Sequence, residues 1–217
     1  MAVFNINITS DPVCPHCYMA KRRLDRAIQL YKRVVPDGSK DTFVINWKAF
    51  YLDSSSPKVG IPISQRMEQR FGTASDNMIH RLTMIGRAEG VEFTMDSKIG
   101  NTRDAHRLVY LAGLKGPETQ NELVSVLFRS YFEESGDITD HGMLLDVAEK
   151  AGLDREEAKK WLEGEDGGAE VDREAEAARK RGVRGVPNLV INDNIVIEGA
   201  EDVQSFLEHL TTAREAC

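Results

Sequence analysis

The chain opens on strict alternation. Phe4, Ile6 and Ile8 are apolar, and Asn5 and Asn7 between them are polar. That is the period of a strand with one buried face, and it predicts a strand over residues 3–9. The period changes at Cys14. Ala20, Leu24, Ile28, Tyr31 and Val35 recur at steps of three and four, one face of a helix, which Pro36-Asp37-Gly38 stops. Thr42 to Phe50, with Phe43, Val44, Ile45 and Trp47, predicts a second strand.

A long helical stretch follows the Ser54-Ser55-Ser56-Pro57 loop. Ser75 to Glu89 predicts a helix with Met78, Ile79, Leu82 and Ile85 inward, and Met78 and Met84 are expected in the core. Asn101 or Thr102 caps another helix, which runs to Ala112 and ends at Gly113. Leu123, Val124, Leu127, Phe128, Tyr131 and Phe132 mark a strongly buried face over residues 118–134. Asp140 opens a helix ended at Gly152, and Asp154 with Glu157 resembles a capping box before Trp161 and Leu162. Glu163 to Gly168 is a charged, glycine-rich loop. Helix returns over Glu170 to Arg181, followed by a hairpin of Leu189–Ile191 and Ile195–Ile197 turning at Asp193-Asn194. A last helix covers Asp202 to Ala213.

Residues 57–168 therefore form a helical insertion. Without it the order is β-α-β-α-β-β-α, that of an α/β thioredoxin fold with a large α-helical insertion. The expected division is a thioredoxin-like domain of residues 1–56 and 169–217 and an insertion domain of 57–168.

The chemistry sits where the period changes. Cys14-Pro15-His16-Cys17 lies between a strand and a helix, the setting of a thiol redox pair. Pro15 suits the first helical position. The free N–H groups of that first turn, with the helix dipole, favour a Cys14 thiolate. Cys17, one turn further in, is the expected resolving thiol. His16, if protonated, adds positive charge beside the thiolate and makes the couple more oxidising. Val186-Pro187, just before the hairpin, occupies the place of a cis proline whose preceding backbone docks substrate. Val186, Pro187, Pro15 and His106 are the candidate substrate contacts, His106 being equally readable as a helix-packing histidine hydrogen-bonded to a neighbouring loop.

Composition narrows the alternatives. The chain has 217 residues, 41% hydrophobic and 29% charged, enough for a sizeable core. Its net charge of -7 argues against nucleic acid as a partner, and no apolar run is long enough to span a membrane. Three cysteines are too few for a disulfide scaffold. Without an export signal ahead of Cys14 the expected location is the cytoplasm, where a cysteine pair is catalytic or metal-binding. A zinc site wants four ligands, whereas His80, His106, His141 and His209 are scattered singly, so no metal is expected. Cys217 reads as an incidental thiol. No bound cofactor is expected.

Ser10-Asp11-Pro12-Val13-Cys14-Pro15-His16-Cys17-Tyr18 resembles the active-site segment of DsbA-family oxidoreductases. Trp47-Lys48-Ala49-Phe50-Tyr51-Leu52, Asn101-Thr102-Arg103-Asp104-Ala105-His106-Arg107-Leu108 and Gly182-Val183-Arg184-Gly185-Val186-Pro187 are similar to segments of its FrnE-like branch. The resemblance spans essentially the whole chain. It implies dithiol–disulfide exchange with protein or small-molecule disulfides, glutathione as a co-substrate, and a monomer or homodimer. The branch also holds 2-hydroxychromene-2-carboxylate isomerases and kappa-class glutathione transferases, which typically carry serine at the position of Cys14. Under that alternative, a glutathione-dependent isomerase or transferase, the amides near Glu201 and Asp202 hold a glutathione carboxylate. The second cysteine pair that some FrnE-like proteins carry near the C-terminus is missing here.

Overall fold

The alternating segment forms strand β1 (Val3–Ser10), with Phe4, Ile6 and Ile8 buried. It is a central strand of the sheet, which a computed structural model describes over residues 1–216; Cys217 lies outside the described residues. β1 pairs in parallel with β2 (Thr42–Ala49), Ile6 opposite Ile45 and Ile8 opposite Trp47. On its other side it runs antiparallel to β5 (Asn188–Ile191), and β5 pairs with β6 (Ile195–Glu198). The order is β2-β1-β5-β6.

A parallel pair needs a crossover, and α1 (Pro15–Val34) supplies it. Leu24, Ala27 and Tyr31 of its inner face are buried. Tyr31 meets Phe4 edge-on at 5.5 Å, while Phe4 stacks on Phe43 of β2 at 4.6 Å. The final helix, α9 (Val203–Glu215), packs along α1 with Phe206 and Leu210 buried. Helix α8 (Gly168–Lys180) covers the polar side of β2, where Glu174 accepts from Lys48 Nζ at 2.8 Å and from the Ala49 amide at 3.1 Å.

Between β2 and α8 lie β3 (Ile61–Pro62), α2 (Ile63–Phe71), α3 (Ser75–Ala88), β4 (Lys98–Ile99), α4 (Arg103–Lys115), α5 (Pro117–Phe132), α6 (His141–Lys150) and α7 (Arg155–Glu163). The aromatic stripe of α5 is buried as its pattern predicts, and it joins the rest of the core. Phe128 lies 6.0 Å from Trp47 of β2 and 5.2 Å from Tyr18 of α1. Asp140 and Asp154 cap α6 and α7 through their side chains.

The structure corrects the pattern in four places. Helix α2 is absent from the predicted elements, because Ile63, Met67 and Phe71 lie among polar residues and none is fully buried. In α3, Gly86 alone is buried; Ile79, Leu82 and Ile85 are half-buried, and Met78 and Met84 are 36% and 55% exposed. Its apolar face lines a cleft, so periodicity registered a face without revealing that little covers it. Helix α4 continues through Gly113 to Lys115; a Cβ at 113 would sit 2.7 Å from Gln120, so the glycine there admits α5 closely. Finally, the hairpin turns over three residues, 192–194, with Asn192 and Asp193 at φ of 49° and 60°. Asn and Asp tolerate that left-handed region, and Asn192 Oδ1 accepts from the Asn5 amide at 2.8 Å, pinning the turn to β1.

Candidate active site

The active-site loop leaves β1 at Ser10 and enters α1 at Pro15. Cys14 is the N-cap, extended at φ −90° and ψ 111°, and its carbonyl accepts from the Cys17 and Tyr18 amides at 3.0 and 3.3 Å. No acidic residue follows in the first turn of α1, so its N–H groups remain for the sulfur. The Cys14 thiol donates to the Val186 carbonyl across 3.5 Å. The Val186–Pro187 peptide is cis. The structure thus brings together Cys14, Cys17, Pro15, His16, Val186 and Pro187.

Both cysteines are free thiols, 3% and 0% exposed. Their environments push them apart. A hydrogen bond from the Cys17 thiol, helped by the Cys17 and His16 amides, lowers the Cys14 pKa against the opposing effects of burial and Asp11. Burial, then the neighbouring Cys14, raises Cys17 well above an ordinary thiol. One sulfur is prepared to attack or leave, and the other stays protonated until called on.

His16 departs from expectation. Although its side chain is exposed, desolvation at the cleft lowers its pKa, and the positive charges of Arg23 and Arg81 lower it further. The ring is therefore neutral at neutral pH and does not supply the expected cationic charge; its amide is what reaches Cys14.

For His106 the structure favours packing over the cleft. The residue does not line the cleft beside His16. Its ring is 4% exposed, with Nε2 3.0 Å from the Phe50 carbonyl and Tyr51 edge-on at 5.4 Å. The structure makes it a packing residue that holds α4 against the end of β2. Burial lowers its pKa to about 4. A folded pKa below the unfolded value of ~6.5 gives stability that is full above pH ~6.5 and lost as pH falls through 4, on the order of 3 kcal/mol. His106→Gln is expected to remove most of that acid-side loss in urea titrations at pH 7 and pH 4; an unchanged pH slope would contradict this assignment.

Glu201 and Asp202 are likewise engaged within the chain. Asp202 caps α9, accepting from the Ser205 amide at 2.8 Å, and Glu201 lies 2.8 Å from His209 Nε2. Arg23 donates to the Ala200 and Glu201 carbonyls at 2.6 and 3.4 Å. One of the amides at the start of α9, that of Ser205, therefore already has a carboxylate, from Asp202.

Two features escaped the sequence. The first is a cleft of about 490 Å³ beside His16, walled by Phe71, Met78, Leu82 and Ile85 with Arg66, Arg70 and Arg81 at its margin. The residues were legible, but their convergence depends on how α2 and α3 fold over the loop. The second is Asp11, 1% exposed on the same cleft wall; an acidic residue three before Cys14 was the available signal. Among the described residues no cluster of histidine, cysteine and carboxylates could hold a metal ion, and no helix is long and apolar enough to cross a membrane.

Residues 5–211 match the family model of the DSBA-like thioredoxin domain. The chain belongs to that family. No curated protein matches it. Among solved structures, this DSBA-like chain is similar to a probable DsbA oxidoreductase from Streptomyces coelicolor, 27% identical, with a TM-score of 0.83 over 98% of this chain and 90% of that one. A 2-hydroxychromene-2-carboxylate isomerase shares the fold at 19% identity and a TM-score of 0.71, covering 98% and 96%. So does a cytosolic disulfide reductase, DsbM of Pseudomonas aeruginosa, solved with glutathione, at 15% and 0.66, covering 97% and 99%. The DSBA-like fold thus serves both disulfide oxidoreductases and an isomerase.

Proposed function

We propose that the protein is a thiol–disulfide oxidoreductase cycling Cys14 and Cys17 between dithiol and disulfide. The observation that carries this reading is the placement of the two sulfurs, Cys14 at the start of α1 and 3.5 Å from the Val186 carbonyl, Cys17 fully buried within its first turn. In the reducing direction the Cys14 thiolate attacks one sulfur of a substrate disulfide. A Cys14–substrate disulfide forms, and the other half leaves as a thiolate that takes up a proton. Cys17 then loses its proton and attacks Cys14, releasing the second substrate thiol. The protein ends oxidised by two electrons and the substrate reduced by two; the oxidising direction is the reverse.

The Val186 carbonyl, already within reach of Cys14, is suited to aligning an extended substrate backbone, with Pro15 and Pro187 flanking it. Substrates would be protein or small-molecule disulfides, and a thiol such as glutathione would regenerate the dithiol. A reducing, cytosolic setting fits a pair kept as catalyst rather than structural disulfide, and the similarity to a cytosolic disulfide reductase agrees with it.

Cys17→Ser tests the reading. With a small aromatic disulfide it should release one equivalent of thiol and then stop, leaving a Cys14 mixed disulfide visible by mass. A glutathione-dependent isomerase or transferase activity that survives in C17S would instead favour the other family chemistry, in which a single Cys14 activates glutathione.

A further inference from the structure

Asp11 is a buried carboxyl that the exchange reaction itself does not use. Three separate segments surround it: its oxygens accept from the Leu52 amide after β2 at 2.8 Å and from the Val13 amide of the active-site loop at 3.3 Å, and the Thr102 side chain before α4 favours its charged form. Its backbone serves the cysteines, the carbonyl accepting from the Cys14 amide at 3.0 Å and the amide reaching the Cys17 sulfur. Asp11 takes part in no ion pair among the described residues, and Arg66 on the same cleft is engaged by Asp53.

We propose that Asp11 is a positioning residue of the dithiol site, which anchors the active-site loop between β2 and α4 and whose charge restrains the reactivity of Cys14. A buried, unpaired carboxylate is disfavoured in its charged form. Burial accordingly raises Asp11 to about 6, against its hydrogen bonds, with Asp53 adding to the rise. The negative form opposes a second negative charge on Cys14, so it raises the thiol's pKa. Below pH 6 Asp11 holds its proton and that opposition ends; above pH 6 it returns.

The other charged and titratable groups around Asp11 belong to several elements. Cys14 and His16 share its loop and helix. Tyr51 and Asp53 follow β2, both coupled to it by charge. Arg66 and Arg70 of α2 and Arg81 of α3 line the cleft. Arg103 at the start of α4 is paired with Glu165 and Asp172. From α5, Tyr131 presents a buried hydroxyl with no hydrogen-bond partner among the described residues, and the Asp11 charge helps to hold it protonated.

Asp11→Asn keeps the acceptor oxygen and removes the charge. Because Cys17 deprotonates only at much higher pH, thiolate absorbance at 240 nm in the reduced protein follows Cys14 alone. Read separately by its side-chain 13C shift, the wild-type Asp11 carboxyl should show an inflection near pH 6. In D11N the Cys14 equilibrium should shift about threefold or more toward thiolate. The equilibrium with glutathione should shift toward dithiol in the same sense, because stabilising the thiolate favours the reduced protein. Thr102→Val, which removes a group that favours the charged form, should move the Asp11 inflection to higher pH.

A folded D11N whose Cys14 midpoint is unmoved or raised overturns the proposal. If D11N does not fold, an inflection unmoved by T102V does so. The inference builds on the dithiol reading for its consequence, but the titration needs no turnover. A protein that shows these shifts without exchanging disulfides would sink the proposed activity and leave the role of Asp11 standing.

Discussion

Replacing Cys14 with serine is expected to reduce disulfide exchange to the uncatalysed background while leaving the fold intact. A hydroxyl cannot form the mixed disulfide, so no part of the cycle survives. The structural effect should be small: Cys14 is the N-cap of α1, and serine is a preferred N-cap residue that can accept from the first-turn amides. The check is a coupled assay of disulfide reduction alongside thermal unfolding. Turnover within a few-fold of wild type would remove Cys14 from the centre of the chemistry. Serine is also the residue expected at this position under the isomerase or transferase reading. Any gain in glutathione-dependent activity by C14S would therefore point to the alternative reading.

The second large effect is expected far from the dithiol. Arg107 is 1% exposed, and its guanidinium is the hub that ends α7. It donates to the carbonyls of Asp166, Leu162 and Gly164 at 2.9, 3.3 and 2.7 Å, also to that of Trp161, and to Asp104 Oδ1 at 2.7 Å. The carbonyls at a helix C-terminus lack partners within the helix and carry partial negative charge, so a cation with planar, spread donors satisfies several at once. Trp161 Nε1 donates back to the Arg107 carbonyl at 3.1 Å, locking the two elements together. Arg107→Met keeps most of the volume and strands those buried acceptors. The expected loss is about 3–5 kcal/mol of unfolding free energy in urea, a large share of the ~5–15 kcal/mol of an ordinary domain. A loss under ~1 kcal/mol would mean that water or neighbouring donors replace the guanidinium.

Most of the framework was legible because its signals are local. Alternation at Phe4, Ile6 and Ile8, the helical stripe of Leu123 to Phe132 and the carboxylate caps at Asp140 and Asp154 each depend on a few adjacent residues. The dithiol was legible for the same reason, since its spacing and its place at a helix start lie within one segment. What escaped depends on long-range placement. Whether the apolar face of α3 is covered is decided by elements elsewhere in the chain, so Met78 and Met84 were misjudged. The lowered pKa of His16 follows first from desolvation at the cleft and then from Arg23 and Arg81, one on its own helix and one on α3. His106 was legible as a residue of interest, but its direction toward the Phe50 carbonyl was not. Asp11 acquires its meaning from Leu52 and Thr102, neither near it in sequence.

The partnership of Cys14 with the Val186 carbonyl joins positions 172 residues apart. A ribosome therefore releases both thiols of the pair long before it makes the backbone that faces them. β1 likewise waits for β5, since Ile6 pairs with Ile191. Contacts this distant in sequence form late and slowly. Throughout synthesis the two cysteines lack the wall that Val186 and the C-terminal hairpin provide. The finished pocket comes into being only when the sheet closes, so the capacity to engage a disulfide in register marks a chain whose folding is complete.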